Sequence, residues 1–82
     1  MSKVFVTIYT RPGCHLCDEM KREILRAGCA DRYIFEEVNI ENDAALLSDY
    51  RDEIPVLQID GVEAFRHRLT AEEFKARLIS QS

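Results

Sequence analysis

Eighty-two residues suffice for one small domain on a single core and are too few for two. With 46% hydrophobic and 32% charged residues, the make-up is that of a soluble globular protein, not a disordered segment or a membrane span. A net charge of −4 argues against a nucleic-acid partner, for which a positive face is the usual footprint.

Residues 3–10 (KVFVTIYT) put Val4, Val6 and Ile8 on one parity and Phe5, Thr7 and Tyr9 on the other. Both faces are largely apolar, which predicts a central strand covered on both sides. Arg11-Pro12-Gly13 breaks it. From Cys14 a helical period follows, with Leu16, Met20, Ile24 and Ala27 on one side, charged residues on the other, and Gly28 as the stop. Residues 33–40 read as a second strand. Asn42 or Asp43 caps a short helix running from Ala44 towards Tyr50. Residues 54–59 form a third strand, with Pro55 near its start, where a missing N–H is tolerated. Asp60-Gly61 predicts a tight hairpin into a short strand over 62–65. Thr70 and Glu73 make a capping box for a last helix with Ala71, Phe74 and Leu78 on its buried stripe. The order β-α-β-α-β-β-α defines one α/β domain over residues 1–82, with a mixed four-stranded sheet flanked by helices.

The opening Met1-Ser2-Lys3 lacks the apolar core and cleavage site of a signal peptide, which places the protein in the cytoplasm. Three cysteines, an odd number, do not fit a disulfide-stapled secreted scaffold. Cys14 and Cys17 instead stand where the first strand ends and the first helix begins. Unpaired N–H groups and the helix dipole favour an anion there, so Cys14 is the candidate thiolate nucleophile. Cys17, almost one turn on, is placed to resolve a mixed disulfide. The competing chemistry is metal binding, which takes about four ligands. Only Cys29, His15 and His67 remain as candidates, and Cys29 is about 20 Å away along a helix rising 1.5 Å per residue. No metal site is expected within one chain, but a metal or iron–sulfur carrier with Cys14 and Cys17 as ligands across a dimer stays open.

Residues 10–17 (TRPGCHLC), 53–57 (EIPVL) and Asp60-Gly61 together resemble the glutaredoxin branch of the thioredoxin superfamily, nearest to the small glutaredoxin-like proteins without an assigned substrate. The resemblance runs from Val4 to about Leu78. It implies a thioredoxin-like (glutaredoxin-type) fold and thiol–disulfide oxidoreductase activity through Cys14 and Cys17. It also implies a cis peptide at Ile54–Pro55, packed against the cysteines, that leaves the backbone of Ile54 free to pair with a peptide-like disulfide. The implied partners are a disulfide-containing protein or a glutathione mixed disulfide, with a reductase or glutathione as electron donor. No bound cofactor, no membrane and a monomer are expected.

The chain departs from glutathione-using glutaredoxins at three places. His15-Leu16 replaces a proline-tyrosine pair, and Glu53-Ile54 replaces Thr-Val. Bulky residues 64–69 (AFRHRL) stand where a Gly-Gly and a small polar or acidic residue are usual. These side chains crowd a tripeptide site, although Arg66 or Arg68 can hold a carboxylate by another geometry. His15 and Arg11 either favour the Cys14 thiolate by their charge or are solvated loop side chains. The Arg66-His67-Arg68 run reads as a solvated turn and Cys29 as a small packed residue. Tyr9, Tyr33, Phe35, Phe65 and Phe74 read as core or strand packing.

Overall fold

The computed structural model describes residues 3–81; Met1 and Ser2, on which the expectation about a signal peptide partly falls, lie outside the described residues. The strands are β1 (Val4–Thr10), β2 (Tyr33–Asn39), β3 (Val56–Ile59) and β4 (Val62–Arg66), and the helices α1 (His15–Arg26), α2 (Ala44–Tyr50) and α3 (Ala71–Gln81). Single 3-10 turns at Ala30–Arg32 and Ile40–Asn42 were not foreseen from the sequence. No described helix is long and apolar enough to cross a membrane.

The sheet order is β2-β1-β3-β4. β1 is central, parallel to β2 and antiparallel to β3. β3 pairs antiparallel with β4, with an irregularity between Leu57 and Gln58. The hairpin turns on Asp60 (φ 52°) and Gly61 (φ 81°), the two positive φ values that a two-residue turn of matching twist requires. Asp60 also fastens the hairpin to β1: its N–H donates to the Phe5 carbonyl (2.8 Å), and its carboxylate accepts the Phe5 N–H (2.9 Å).

Val6 and Ile8 of β1 and Leu57 and Ile59 of β3 meet Met20 and Ile24 of α1 and Phe74 and Leu78 of α3 in one core. The apolar parities of strands and helices therefore do what their spacing predicts. Glu23 of α1 accepts the Ala71 N–H (3.0 Å), fixing the start of α3 against α1.

The other face of β1 is covered only in part, contrary to the expectation of a strand buried on both sides. Tyr9 stacks on Tyr50 of α2 (4.9 Å between ring centroids), but Phe5 is 58% exposed and its β2 partner Ile34 is 48% exposed. α2, only seven residues long, reaches one end of that face. The aromatic readings divide accordingly. Tyr33 and Phe74 are buried, and Tyr9 and Phe65 are half-buried. Phe35, on the edge strand β2, is exposed and touches only the edge of Tyr33 among aromatic rings (6.4 Å).

Phe74 is fully buried at the centre of the core. Its truncation in Phe74→Ala lowers the unfolding free energy by about 3–5 kcal/mol, a large share of the roughly 5–15 kcal/mol of a typical domain. Denaturant unfolding measures it; a loss below about 1 kcal/mol would show that this side chain does not anchor the core.

Candidate active site

β1 delivers the chain to Thr10, and the next four residues turn it into α1. Pro12 presets the first central position of that turn and Gly13 takes the second with φ 79°, which suits glycine there. The turn closes through the Cys14 N–H on the Arg11 carbonyl (3.3 Å). Cys14 is thereby left at the N-cap of α1 in extended backbone, its sulfur accepting the Cys17 N–H at 3.1 Å. Cys14 is half-buried and Cys17 is 1% exposed. Their Cα atoms are 5.2 Å apart and their sulfurs are joined as a disulfide. The less buried residue of the pair thus caps a helix N-terminus while the other is sealed in the helix behind it. An attacking thiolate and an internal resolving thiol need that asymmetry.

The Ile54–Pro55 peptide bond is cis. Pro55 is fully buried and Ile54 half-buried. The Pro55 carbonyl accepts the His67 N–H (2.7 Å), tying this bend to the end of β4. The backbone of Ile54 is less free than expected. Its N–H donates to the Tyr50 carbonyl (3.2 Å), which also accepts from Glu53 (2.9 Å). The Ile54 carbonyl has no such partner among the described residues.

Arg11 and His15 both sit beside Cys14 in sequence, and both are taken up by carboxylates. Arg11 donates to Glu41 through Nε (3.2 Å) and an Nη (2.9 Å). His15 Nε2 lies 2.8 Å from Glu19, with its side chain 81% exposed. Exposed pairs of this kind are worth little, about 0–1 kcal/mol, and each sets a carboxylate next to the basic side chain. The donor that the structure places directly on the Cys14 sulfur is the backbone of α1.

Two groupings escaped the sequence reading. Thr10, 3% exposed, donates its hydroxyl to Glu37 (2.8 Å), which also accepts from Lys21 of α1 (3.1 Å). Burial pushes the Glu37 carboxyl up, but the Thr10 hydroxyl and the Lys21 ammonium outweigh it and hold the group below its ordinary value. The hydrogen bond to Glu37 raises Lys21 in turn. This bridge joins β1, β2 and α1 just below the cysteines. The second grouping lies in the exposed turn over residues 66–68, where Arg66 is engaged by carboxylates. Arg66 clasps Glu63 through Nε and an Nη (2.9 and 2.6 Å) and reaches Glu53 at the cis-proline bend. Those bonds, Glu63 first, raise the Arg66 guanidinium further. Neither grouping has a local sequence signal, since Thr10 and Glu37, like Glu53 and Arg66, meet only through the folded sheet.

Cys29 is buried in the core, its thiol directed at the Ala27 carbonyl (3.4 Å). Among the described residues no three His, Cys, Asp or Glu side chains are grouped to hold a metal ion.

A β1-α1-β2 unit, a cis-proline bend and a cysteine pair opening α1 define a thioredoxin-like α/β protein. The family model Glutaredoxin-like domain (DUF836) matches residues 5–79, and the chain belongs to that family. A glutaredoxin-like protein of Dictyostelium discoideum, described as a YDR286C homolog, is 32% identical over 74 residues, spanning 83% of this chain and 68% of that protein. The solved structure of protein XcR50 from X. campestris has 32% identity and a TM-score of 0.78, covering 92% of this chain and 96% of that one. Protein Ne2328 from Nitrosomonas europaea has 29% identity and a TM-score of 0.75, over 94% and 93% of the two chains. A malaria-parasite thioredoxin-2, 17% identical with a TM-score of 0.69 over 98% of this chain and 84% of its own, shares the fold.

The Glu37 bridge has a pH signature. A carboxyl held low in the folded state contributes stability above its unfolded pKa, near 4.3, and loses it as pH falls through the lower folded value. The stability gap between wild type and Glu37→Gln is therefore full at pH 7 and closes below about pH 4.5. Thermal melting over that range checks it; a gap that is constant with pH contradicts the bridge.

Proposed function

We propose that the protein is a thiol–disulfide oxidoreductase, with Cys14 as nucleophile and Cys17 as resolving thiol. The observation that carries this reading is the disposition of the pair. Cys14 is half-buried, with its sulfur on a helix N–H at 3.1 Å, and Cys17 is fully buried one turn behind it.

The cycle follows from these positions. The Cys14 thiolate attacks one sulfur of a substrate disulfide, breaking the S–S bond. One substrate sulfur leaves as a thiolate and takes a proton from solvent; the other stays bonded to Cys14. Cys17 then loses its proton and attacks the Cys14 sulfur, forming the Cys14–Cys17 disulfide and releasing the second substrate thiol. Two electrons from a reductase dithiol, or from two molecules of glutathione, restore the dithiol. Electrostatic help comes first from the backbone at the start of α1. His15 and Arg11 act behind their carboxylate partners, Glu19 and Glu41. Pro55 shapes the groove, and the Ile54 carbonyl accepts a substrate N–H. We place this chemistry in the cytoplasm, in a monomer without a bound cofactor.

In a series of thiol–disulfide buffers, thiol labelling and mass measurement should find a reversible Cys14–Cys17 disulfide between about −270 and −120 mV, the span of known dithiol oxidoreductases. Cys17→Ser should accumulate a mixed disulfide on Cys14, and Cys14→Ser should exchange with nothing. An internal disulfide that forms nowhere in the series rules the dithiol mechanism out.

A further inference from the structure

The two edges of the sheet are finished differently. β4 is five residues long, its pairing with β3 is irregular at Leu57/Gln58, and Glu63 and Arg66 put charge along it. Short length, irregularity and charge are the usual guards against a further strand adding to an edge. β2 lacks the first two. It keeps an unbroken register with β1 over seven residues and pairs with no strand on its other side. Ile34 and Phe35 stand exposed on it, and each face continues into more apolar surface. On one face lies Phe5, the exposed β1 partner of Ile34. On the other, Phe35 and Tyr33 line an open groove of about 310 Å³ with Ile24 and the exposed Leu25.

The charges flanking this patch say what fits it. Arg32 stands two residues before Ile34 and Glu36 two residues after it, and both are exposed. Among the described residues neither side chain has an ion pair or a hydrogen bond. A strand with a cation on one side of an apolar centre and an anion on the other complements its own reversed copy. With two copies of β2 antiparallel about a two-fold axis at Ile34, Ile34 meets Ile34, Tyr33 meets Phe35, and Arg32 meets Glu36. An axis at Phe35 sets Ile34 against Glu36 and Tyr33 against Glu37. An axis at Tyr33 sets Ile34 against Arg32, and one at Glu36 sets that carboxylate against its own copy. Of these four registers, the one centred on Ile34 alone joins apolar to apolar and cation to anion.

We propose that the β2 edge is an interface for a second copy of this chain, paired antiparallel about Ile34. The two four-stranded sheets become one, and the apolar row Phe5–Ile34 of one copy runs on into Ile34–Phe5 of the other. The same patch is used on both sides, so the contact closes at two copies. A single strand edge buries less than the roughly 1,200–2,000 Å² of a standard stable interface. The pair is therefore reversible, and the single copy prevails on dilution. The inference goes beyond the oxidoreductase reading and does not depend on it. Thr10, from which the chain turns towards Cys14, pairs with Asn39 at the other end of β2, so the cysteine motif lies away from the centre of the contact and each copy keeps its own chemistry.

Sedimentation equilibrium of the full chain, in excess reductant so that no intermolecular disulfide contributes, tests this from micromolar to millimolar concentration. The mass should rise from one copy towards two and no further. Arg32→Glu and Glu36→Arg each set like charges opposite one another. Either alone should weaken the dissociation constant about tenfold, the effect of turning two attractive cross-strand pairs repulsive. The two changes together restore unlike charges and should return the constant to within about threefold of wild type. Ile34→Lys should hold the protein at one copy. Far-UV circular dichroism and the alkylation rate of Cys14 should be the same in all variants, because these side chains are exposed. A mass of one copy at every concentration overturns the proposal and leaves the edge to a strand of another protein. A dimer that the single charge reversals do not weaken, or that the double reversal does not rescue, overturns the register and with it the interface.

Discussion

The Cys17 N–H on the Cys14 sulfur, 3.1 Å long, is the contact on which the chemistry depends, and it exists only because of where a strand stops. β1 ends at Thr10, a turn shaped by Pro12 and Gly13 reverses the chain, and α1 begins with Cys14 as its cap. A sulfur at that position meets backbone donors that have no other partner. Placed one residue later, Cys14 would be an ordinary side chain of the first turn. The remainder of the fold keeps this junction rigid. Val6 and Ile8 bury one face of β1 under α1 and α3, and Thr10 is bound through Glu37 to Lys21.

The charges near the junction are arranged by pairing more than by number. Arg11 faces Glu41, His15 faces Glu19, and Arg66 is shared by Glu63 and Glu53. Each pair is at least partly open to water and contributes little to stability. Each instead sets a carboxylate beside a basic side chain near the cysteine motif or the cis-proline bend. The backbone donors at the cis-proline bend are similarly few, because Ile54 has already committed its N–H to the Tyr50 carbonyl.

Much of the fold was legible in the sequence because its elements carry strong local signals. The β-branched run of β1, the 3.6-residue period of α1, the Asp60-Gly61 turn and the Thr70–Glu73 box each act over a few residues, and the structure has each of them. The cysteine pair was legible for the same reason, since its placement between strand and helix is itself local. What escaped the sequence depends on contacts between distant segments. Nothing near Phe5 in the chain says that α2 stops short of it, and nothing near Phe35 says that β2 is an edge. The Arg66–Glu53 clasp and the Thr10–Glu37 bridge span the sheet, and the commitment of the Ile54 N–H depends on how α2 ends.

We attribute the stabilisation of the Cys14 thiolate to the backbone at the start of α1, and not to a neighbouring side chain. A titration of the reduced protein, following thiolate absorbance or the rate of alkylation against pH, tests it most directly. One reactive thiol, Cys14, should react as a thiolate at lower pH than an ordinary cysteine, and should still do so in a variant carrying both Arg11→Ala and His15→Ala. A Cys14 thiol that titrates at or above the ordinary value, or returns to it when those two side chains are removed, would contradict the claim.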